Sequence, residues 1–116
     1  MDTLNTQSLH LLRRFTNDFL RDKTGKGPEI IKVYSVKDKI FFEIENYLTP
    51  MEKELAKDQE GIKIVKNVRE KLSNNTHSEY IKKASELTKN RILHCIIFWD
   101  VENDRAFEII TLKLNN

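Results

Sequence analysis

Cysteine, proline and glycine are scarce in this chain, which holds one Cys, two Pro and three Gly among 116 residues. The lone Cys95 excludes an internal disulfide, because a disulfide needs two thiols. No stretch is rich in Ser or internally repeated, so we expect neither a flexible linker nor a low-complexity segment. With 39% apolar residues, the chain can bury one core but is too short for two. We therefore predict a single domain over residues 1–116, ordered nearly throughout.

Long apolar runs are also missing. The stretch from Cys95 to Trp99 is among the longest, far below the roughly 18–20 residues that span a bilayer. The chain is therefore not expected to conduct an ion itself. Its first residues, Met1 to Asn5, lack the basic and apolar regions of a signal peptide. We expect a cytoplasmic protein, either free or peripheral at the membrane.

Charge is nearly balanced overall but uneven along the chain. The formal net charge is +2, yet residues 60–91 carry eight Lys or Arg against four Asp or Glu. The simplest interpretation is a solvated helix face. An acidic partner, an anionic membrane surface and nucleic acid are the alternatives that a basic helix leaves open.

The first half of the chain predicts a helix followed by a β-hairpin. Leu12, Phe15 and Phe19 recur at helical spacing, which predicts an amphipathic helix over residues 7–23, capped by Gly25. Residues 29–36 and 39–48 are rich in β-formers and predict two paired strands. In the second strand, Ile40, Phe42, Ile44 and Leu48 are expected on one face, and Phe41, Glu43, Glu45 and Tyr47 on the other.

The middle of the chain predicts three helices. Thr49, Pro50 and Glu52 have the order of a helix N-terminus, with a cap, a proline in the first turn and a capping-box Glu. This helix is expected to reach about residue 57, and a second to run from residue 58 or 59 to about 73. Asn74-Asn75 is interpreted as a break, and the capping pattern Thr76-His77-Ser78-Glu79 predicts a third helix that stops at Asn90.

The last segments, residues 92–101 and 106–114, predict a second hairpin. The fold class is therefore α+β, with the order α-ββ-ααα-ββ and a four-stranded antiparallel sheet made of two hairpins, its helices packed on one face. The third strand is apolar on both sides, with Ile92, Ile96 and Phe98 expected on one face and Leu93, Cys95, Ile97 and Trp99 on the other. Because helices cover only one face, we predict a homodimer that buries the other.

Two segments and two single residues together resemble the MpsC-like family of small bacterial proteins. The segments are Gly25-Lys26-Gly27-Pro28 and Leu48-Thr49-Pro50-Met51-Glu52-Lys53-Glu54-Leu55, and the single residues are Arg69 and Asp100. The resemblance covers about residues 10–114. Departures from the family pattern are Asn90, where a Gly is expected, and Phe98-Trp99, where smaller or polar residues are usual.

The family name refers to a sodium-translocating, membrane-potential-generating system. The resemblance therefore implies a noncatalytic soluble accessory component of such a system, which acts by protein–protein binding while the ion path lies in other subunits. An integral-membrane transporter subunit is the implied partner. The motif residues Gly25, Gly27, Pro28, Leu48, Thr49, Pro50, Glu52 and Leu55 are expected to be structural.

Arg69 is the sharpest candidate for a site, because it falls inside the apolar arc of its helix. A guanidinium entering a core needs a carboxylate partner or a bound anion. Glu52, Glu54, Glu45 and Asp100 are the candidate partners, with Glu52 and Asp100 foremost. The alternative function is accordingly a regulatory module that binds a small anion at Arg69.

Other chemistry finds little support in the sequence. His94 and Cys95 are adjacent in a strand and face opposite sides, so they cannot share a metal, and no metal or cofactor is expected. The Gly25-Lys26-Gly27 turn precedes a strand rather than a helix, so it does not predict a phosphate loop. An enzyme and a nucleic-acid binder are the less favoured classes. Four aromatic residues are expected to form either a dimer interface or a ligand pocket: Tyr34, Phe41, Tyr47 and Trp99.

Overall fold

Three helices and four strands make up residues 4–114, the part of the chain that the computed structural model describes. The predicted domain over 1–116 also includes residues 1–3 and 115–116, which lie outside that range. The elements are α1 (Thr6–Thr24), β1 (Ile30–Val36), β2 (Lys39–Glu45), α2 (Pro50–Leu55), α3 (Gln59–Thr88), β3 (Arg91–Asp100) and β4 (Arg105–Lys113).

The four strands form one antiparallel sheet in the order β1-β2-β4-β3. Each hairpin pairs internally, and β2 joins β4 in the middle of the sheet. Helix α1 packs against β1 and α3 packs against β3. The predicted α+β class and the sheet of two hairpins are confirmed.

Helix α1 follows the sequence closely because its caps are local. Asn5 accepts from the backbone N–H of Ser8 at 2.7 Å, which satisfies one of the free donors at the N-terminus. Gly25 ends the helix in the left-handed region, with φ of 88°. Leu12, Thr16 and Leu20 form its buried stripe.

Helix α3 corrects the predicted break at Asn74-Asn75, because it is continuous over 30 residues. The separate third helix starting at Thr76 was therefore wrong. Thr76 does not cap a new helix; its hydroxyl donates to the carbonyl of Leu72 at 2.8 Å, inside the existing one. Asparagine is only a weak helix former and lacks the backbone restriction of proline, so a buried stripe from Val65 to Ala84 carries the helix through.

The helix ends one residue earlier than predicted. Lys89, not Asn90, takes the left-handed conformation, with φ of 56°. Asn90 instead donates from its side chain to the carbonyl of Thr88 at 2.9 Å, which still satisfies one of the last free carbonyls.

Two strand ends also differ from the prediction. A β-bulge at Leu93 shifts the register, so Ile92 faces the helices together with Cys95, Ile97 and Trp99 rather than lying with Ile96 and Phe98. Asn46 has φ of 56° and ends β2. Tyr47 is consequently fully buried instead of sharing the face of Phe41, because one left-handed residue breaks the alternation of a strand.

The core lies between the sheet and the helices. Its sheet side is built from every second residue of the two central strands, Ile40, Phe42 and Ile44 in β2 and Ala106, Ile110 and Leu112 in β4. No helix covers the opposite side of the sheet among the described elements, and we call that side the outer sheet face. Its exposed apolar residues are Ile30, Tyr34, Val36, Ile96, Phe98 and Ile109.

Candidate functional site

Arg69 and Glu52 form a buried ion pair between α3 and α2. Arg69 is 1% exposed; its Nε donates to Glu52 Oε2 at 2.8 Å and its Nη2 to Oε1 at 2.6 Å. Nη2 also donates to the carbonyl of Tyr47 at 3.2 Å. Two parallel N–H···O bonds fix both the distance and the orientation of the pair.

Glu52 takes part in two structures, the ion pair with Arg69 and the capping box at the N-terminus of α2. Its Oε1 accepts from the backbone N–H of Thr49 at 2.9 Å, while the hydroxyl of Thr49 accepts from the backbone N–H of Glu52 at 3.2 Å. This is the capping box that the sequence predicts. Burial opposes ionisation of Glu52, but the hydrogen bonds from Arg69 and Thr49 outweigh it and lower the pKa of the carboxyl.

Two aromatic rings enclose the guanidinium. The Arg69 Cζ lies 4.9 Å from the ring centroid of Tyr47 and 5.4 Å from that of Trp99. The remaining nitrogen, Nη1, has no hydrogen-bond partner among the described residues, and ring faces stabilise a cation in such a position. Burial raises the pKa of Tyr47. We call these residues the Arg69 cluster: it contains one buried ion pair, between Arg69 and Glu52, and the two aromatic rings that enclose the guanidinium, Tyr47 and Trp99.

Asp100 is not part of this cluster. It accepts instead from the side chain of Asn103 at 2.9 Å, next to the turn between β3 and β4. The carboxylate that sequence reasoning missed here is Asp104, whose Oδ1 accepts from the backbone N–H groups of Tyr47 and Leu48, each at 3.0 Å. Asp104 has φ of 53°, a conformation that Asp adopts more readily than most residues.

The motif segments meet at this end of the sheet. Lys26 Nζ donates to the carbonyl of Asn46 at 2.5 Å, and the backbone N–H of Asn46 donates to the carbonyl of Asp104 at 2.9 Å. The Gly25 to Pro28 connector, the segment before α2 and the β3–β4 turn are thus tied together by hydrogen bonds to backbone groups. The Gly25 to Pro28 connector therefore holds chain segments in place, and the side chain of its Lys26 already donates to the carbonyl of Asn46.

A second buried polar cluster surrounds Glu108 of β4, a residue that sequence reasoning did not single out. The hydroxyl of Tyr80 donates to Glu108 Oε1 at 3.1 Å, and the thiol of Cys95 donates to Oε2 at 3.1 Å. Since the proton of Tyr80 is used there, Thr16 donates to the Tyr80 oxygen at 2.8 Å. The cluster therefore joins α1, α3, β3 and β4.

Burial dominates the chemistry of the Glu108 cluster. It raises the pKa of Glu108 to about 7, although hydrogen bonds from Cys95 and Tyr80 act in the opposite direction. Burial also raises the pKa of Cys95 and of Tyr80. A thiol of this kind is a poor nucleophile, because the reactive form is the thiolate.

A signal for Glu108 was present in the sequence. Ala106, Ile110 and Leu112 alternate along the last strand, and Glu108 has the same parity, so it had to face the core with them. A carboxylate at a core position indicates either a buried network or a site.

Glu108 also lines a cavity of about 350 Å³ between α1, α3 and the sheet. Its inner walls are formed by Thr16, Tyr80, Cys95 and Trp99. Glu70, Asn74 and His77 of α3 line it as well and are exposed, so they mark its mouth. Trp99 connects the Arg69 cluster to the cavity, since its ring faces Arg69 while its Nε1 donates at 3.3 Å to Ser73, which also lines the cavity.

The four aromatic residues expected at one interface or pocket lie on two sides of the sheet. Tyr47 and Trp99 are buried together, with ring centroids 5.1 Å apart. Tyr34 and Phe41 are cross-strand neighbours on the outer sheet face, in one row with Ile109 and Ile96. The outer sheet face and the cavity are therefore separate candidate surfaces.

Together these features define a small α+β protein with an open sheet face and two buried polar clusters. Within residues 4–114, no group of three or more His, Cys, Asp or Glu side chains could hold a metal ion. None of the described helices is both long and apolar enough to cross a membrane.

A family model described as "Na+-translocating membrane potential-generating system (MpsC)" matches residues 6–114. The chain belongs to this MpsC family. Searches of curated proteins and of solved structures found no match. The family name associates the chain with a sodium-translocating membrane system.

Proposed function

We propose that this protein is a noncatalytic accessory component of the sodium-translocating system named for its family, and that it acts from the cytoplasmic side by binding protein. In this proposal the working unit is a homodimer, in which a second copy covers the outer sheet face. The observation that carries the proposal is the apolar composition of that face.

The apolar residues of the outer sheet face form one patch. Tyr34, Ile109 and Ile96 lie in one cross-strand row, and Phe98 pairs with Phe107 in the next. Ile96 is 66% exposed and Phe98 54% exposed. Each of the six exposed members presents on the order of 100 Å², so together they present on the order of 600 Å², near the upper limit for a monomer surface.

The charges of the outer sheet face favour a second copy over a strongly charged partner. The four complete rows hold three cationic side chains, Lys32, Lys39 and Arg105, and three anionic ones, Glu43, Glu45 and Asp100. Lys32 lies opposite Glu43, and Arg105 lies between Glu45 and Asp100. Because the charges of these four rows are balanced, two copies can meet there without net repulsion, while the cationic pair Arg91 and Lys113 lies beyond the rows at one end of the face.

The area is also sufficient for a symmetric pair. Two apolar patches of this size bury on the order of 1,000 Å² before any polar rim is counted, which is the lower bound for a stable interface. An anion at Arg69 has less support, because Glu52 already occupies two of its donors and the side chain is 1% exposed.

Light scattering at micromolar concentration tests the dimer. The wild type is expected to have twice the mass of one chain, and Ile96→Lys the mass of one, because a buried lysine without a partner costs several kcal/mol. Val68→Lys is the matched control, since Val68 is 56% exposed on α3 and away from the outer sheet face. A monomeric wild type, or a dimeric Ile96→Lys variant, would contradict the dimer.

The accessory role needs a separate experiment in the native cells. The tagged protein is crosslinked mildly and purified from membrane and soluble fractions kept apart, and both are analysed by mass spectrometry. We expect an integral-membrane transporter subunit in the membrane fraction. Recovery of the protein alone, in the soluble fraction, would rule out the accessory role even if the dimer is correct.

A further inference from the structure

We propose that the cavity beside Glu108 binds a small organic monocation. Its ammonium group would lie against the Glu108 carboxylate, and its apolar body along the aromatic side chains that line the cavity, Phe19, Tyr80 and Trp99. This site is independent of the outer sheet face and of the proposed accessory role. It rests on the charge, the free acceptor positions and the dimensions of the cavity.

Above the pKa of Glu108 the cavity carries negative charge, and no Lys or Arg of its described lining balances it. Glu108 lies at its inner end and Glu70 at its mouth, and none of the described residues that line it is Lys or Arg. His77, at the mouth, is its one imidazole group. A cationic ligand would supply what this lining lacks.

Glu108 has acceptor capacity left for such a ligand. A carboxylate offers about four lone-pair positions, and the bonds from Tyr80 and Cys95 use one on each oxygen. An ammonium group brings three donors and can use a remaining position on Glu108. Ser73 and Thr76 add hydroxyl groups to the same lining.

The walls favour an organic cation over a bare metal ion. Tyr80 lines the cavity together with Phe19 and Trp99, which already lie against Lys23 and Arg69, and aromatic faces attract ammonium groups. A hard metal cation instead requires a nearly complete shell of oxygen ligands. Around Glu108 the structure provides a thiol and two hydroxyls already bonded to each other. The volume of about 350 Å³ is that of a small-molecule site.

An NMR titration with benzylammonium chloride at about pH 8, where Glu108 is ionised, tests this site. Trp99 is the one tryptophan of the chain, so its indole N–H gives a single resonance next to the cavity. We expect benzylammonium to shift it saturably, and benzyl alcohol, which has the same shape without the charge, to bind at least about tenfold more weakly. Sodium chloride at matched concentration controls for ionic strength.

Three variants locate the binding. Glu108→Gln keeps the shape but removes the charge, and should weaken benzylammonium binding about tenfold or more. Glu102→Gln removes a charge from an exposed turn and should leave binding unchanged. Asn74→Phe narrows the exposed mouth without touching Glu108 and should also weaken binding.

The proposal is overturned by any of four results. They are equal affinity for benzyl alcohol, unchanged affinity in Glu108→Gln or in Asn74→Phe, a saturable shift of the same resonance by Na+ alone, or no shift up to about 10 mM benzylammonium.

Discussion

Replacing Glu108 by Gln should change how the stability of this protein depends on pH. The pKa of Glu108 is raised from 4.5 to about 7 in the folded protein. Below the unfolded pKa of 4.5, Glu108 holds its proton in both the folded and the unfolded chain, so its ionisation does not lower the free energy of unfolding. Between the two values the unfolded chain has lost its proton while the folded one keeps it, and stability falls as the pH rises.

The magnitude follows from the width of that interval. The interval between 4.5 and about 7, at about 1.4 kcal/mol per unit, corresponds to a loss of about 3 kcal/mol that is complete above the folded pKa. Glutamine cannot ionise, so the variant lacks this loss. It can still accept from Tyr80 through its carbonyl oxygen, and the pH dependence of the weak Cys95 thiol bond that it forgoes is already contained in the pKa of Glu108.

Urea unfolding at about pH 5 and about pH 8, followed by the fluorescence of Trp99, measures the difference. The stability of Glu108→Gln relative to the wild type should rise by about 2–3 kcal/mol between the two conditions. Glu102→Gln, on an exposed turn, controls for the change in net charge. Parallel pH profiles for the wild type and Glu108→Gln would refute the reasoning.

Three further predictions concern the end of the sheet where the motif segments meet. Arg69→Met should destabilise by about 3–5 kcal/mol, since it leaves the Glu52 charge buried and unpaired, and adding Glu52→Gln should recover part of this loss in thermal or urea unfolding. Asp104→Ala should cost about 2–4 kcal/mol, because two backbone N–H groups lose a charged acceptor, whereas Asp104→Asn, which keeps the oxygen, should cost less than about 1 kcal/mol. Gly61→Ala should destabilise by more than about 2 kcal/mol, because the new Cβ would lie 1.5 Å from the carbonyl oxygen of Leu55. This loss should exceed the gain of about 1 kcal/mol that alanine brings as the better helix former. A Gly61→Ala protein as stable as the wild type by calorimetry would contradict this geometry.

Local chemistry made much of the fold predictable. The Gly25 cap and the Thr49–Glu52 capping box depend on residues within four positions of one another, so the sequence alone identifies these helix ends. Alternation in β2 likewise identified Ile40 and Phe42 as core residues, and both are buried.

Features that depend on distant residues were harder to predict. The Asn74-Asn75 pair was taken for a break because its neighbours carry a capping pattern, but the stripe from Val65 to Ala84 packs against the rest of the core and overrides that local preference. The bulge at Leu93 leaves no mark in the alternation of β3 and reverses the side on which Ile92 lies.

The position of Arg69 in the apolar arc of its helix identified it as a residue that needs a partner. The sequence, however, offered several carboxylates as that partner. Only the packing of α2 on α3 selects Glu52 and excludes Asp100. Glu108 was missed for the opposite reason. The alternation of the last strand indicates that Glu108 faces the core. Its hydrogen-bond donors Tyr80 and Cys95, however, lie 28 and 13 residues earlier in the sequence, and no local pattern brings these residues together.

The bulge at Leu93 has a consequence for how far assembly can proceed. Strand β3 lies at an edge of the sheet, and a long, regular edge strand can recruit further strands without limit. A bulge twists the edge and interrupts the ladder of free N–H and C=O groups. Strand addition at the β3 edge is thereby discouraged, whereas stacking of two sheets face to face, as in the proposed homodimer, would bury the apolar surface in a single step. The bulge therefore protects one of the two sheet edges, β1 being the other, and leaves the face-to-face contact of the proposed homodimer unaffected.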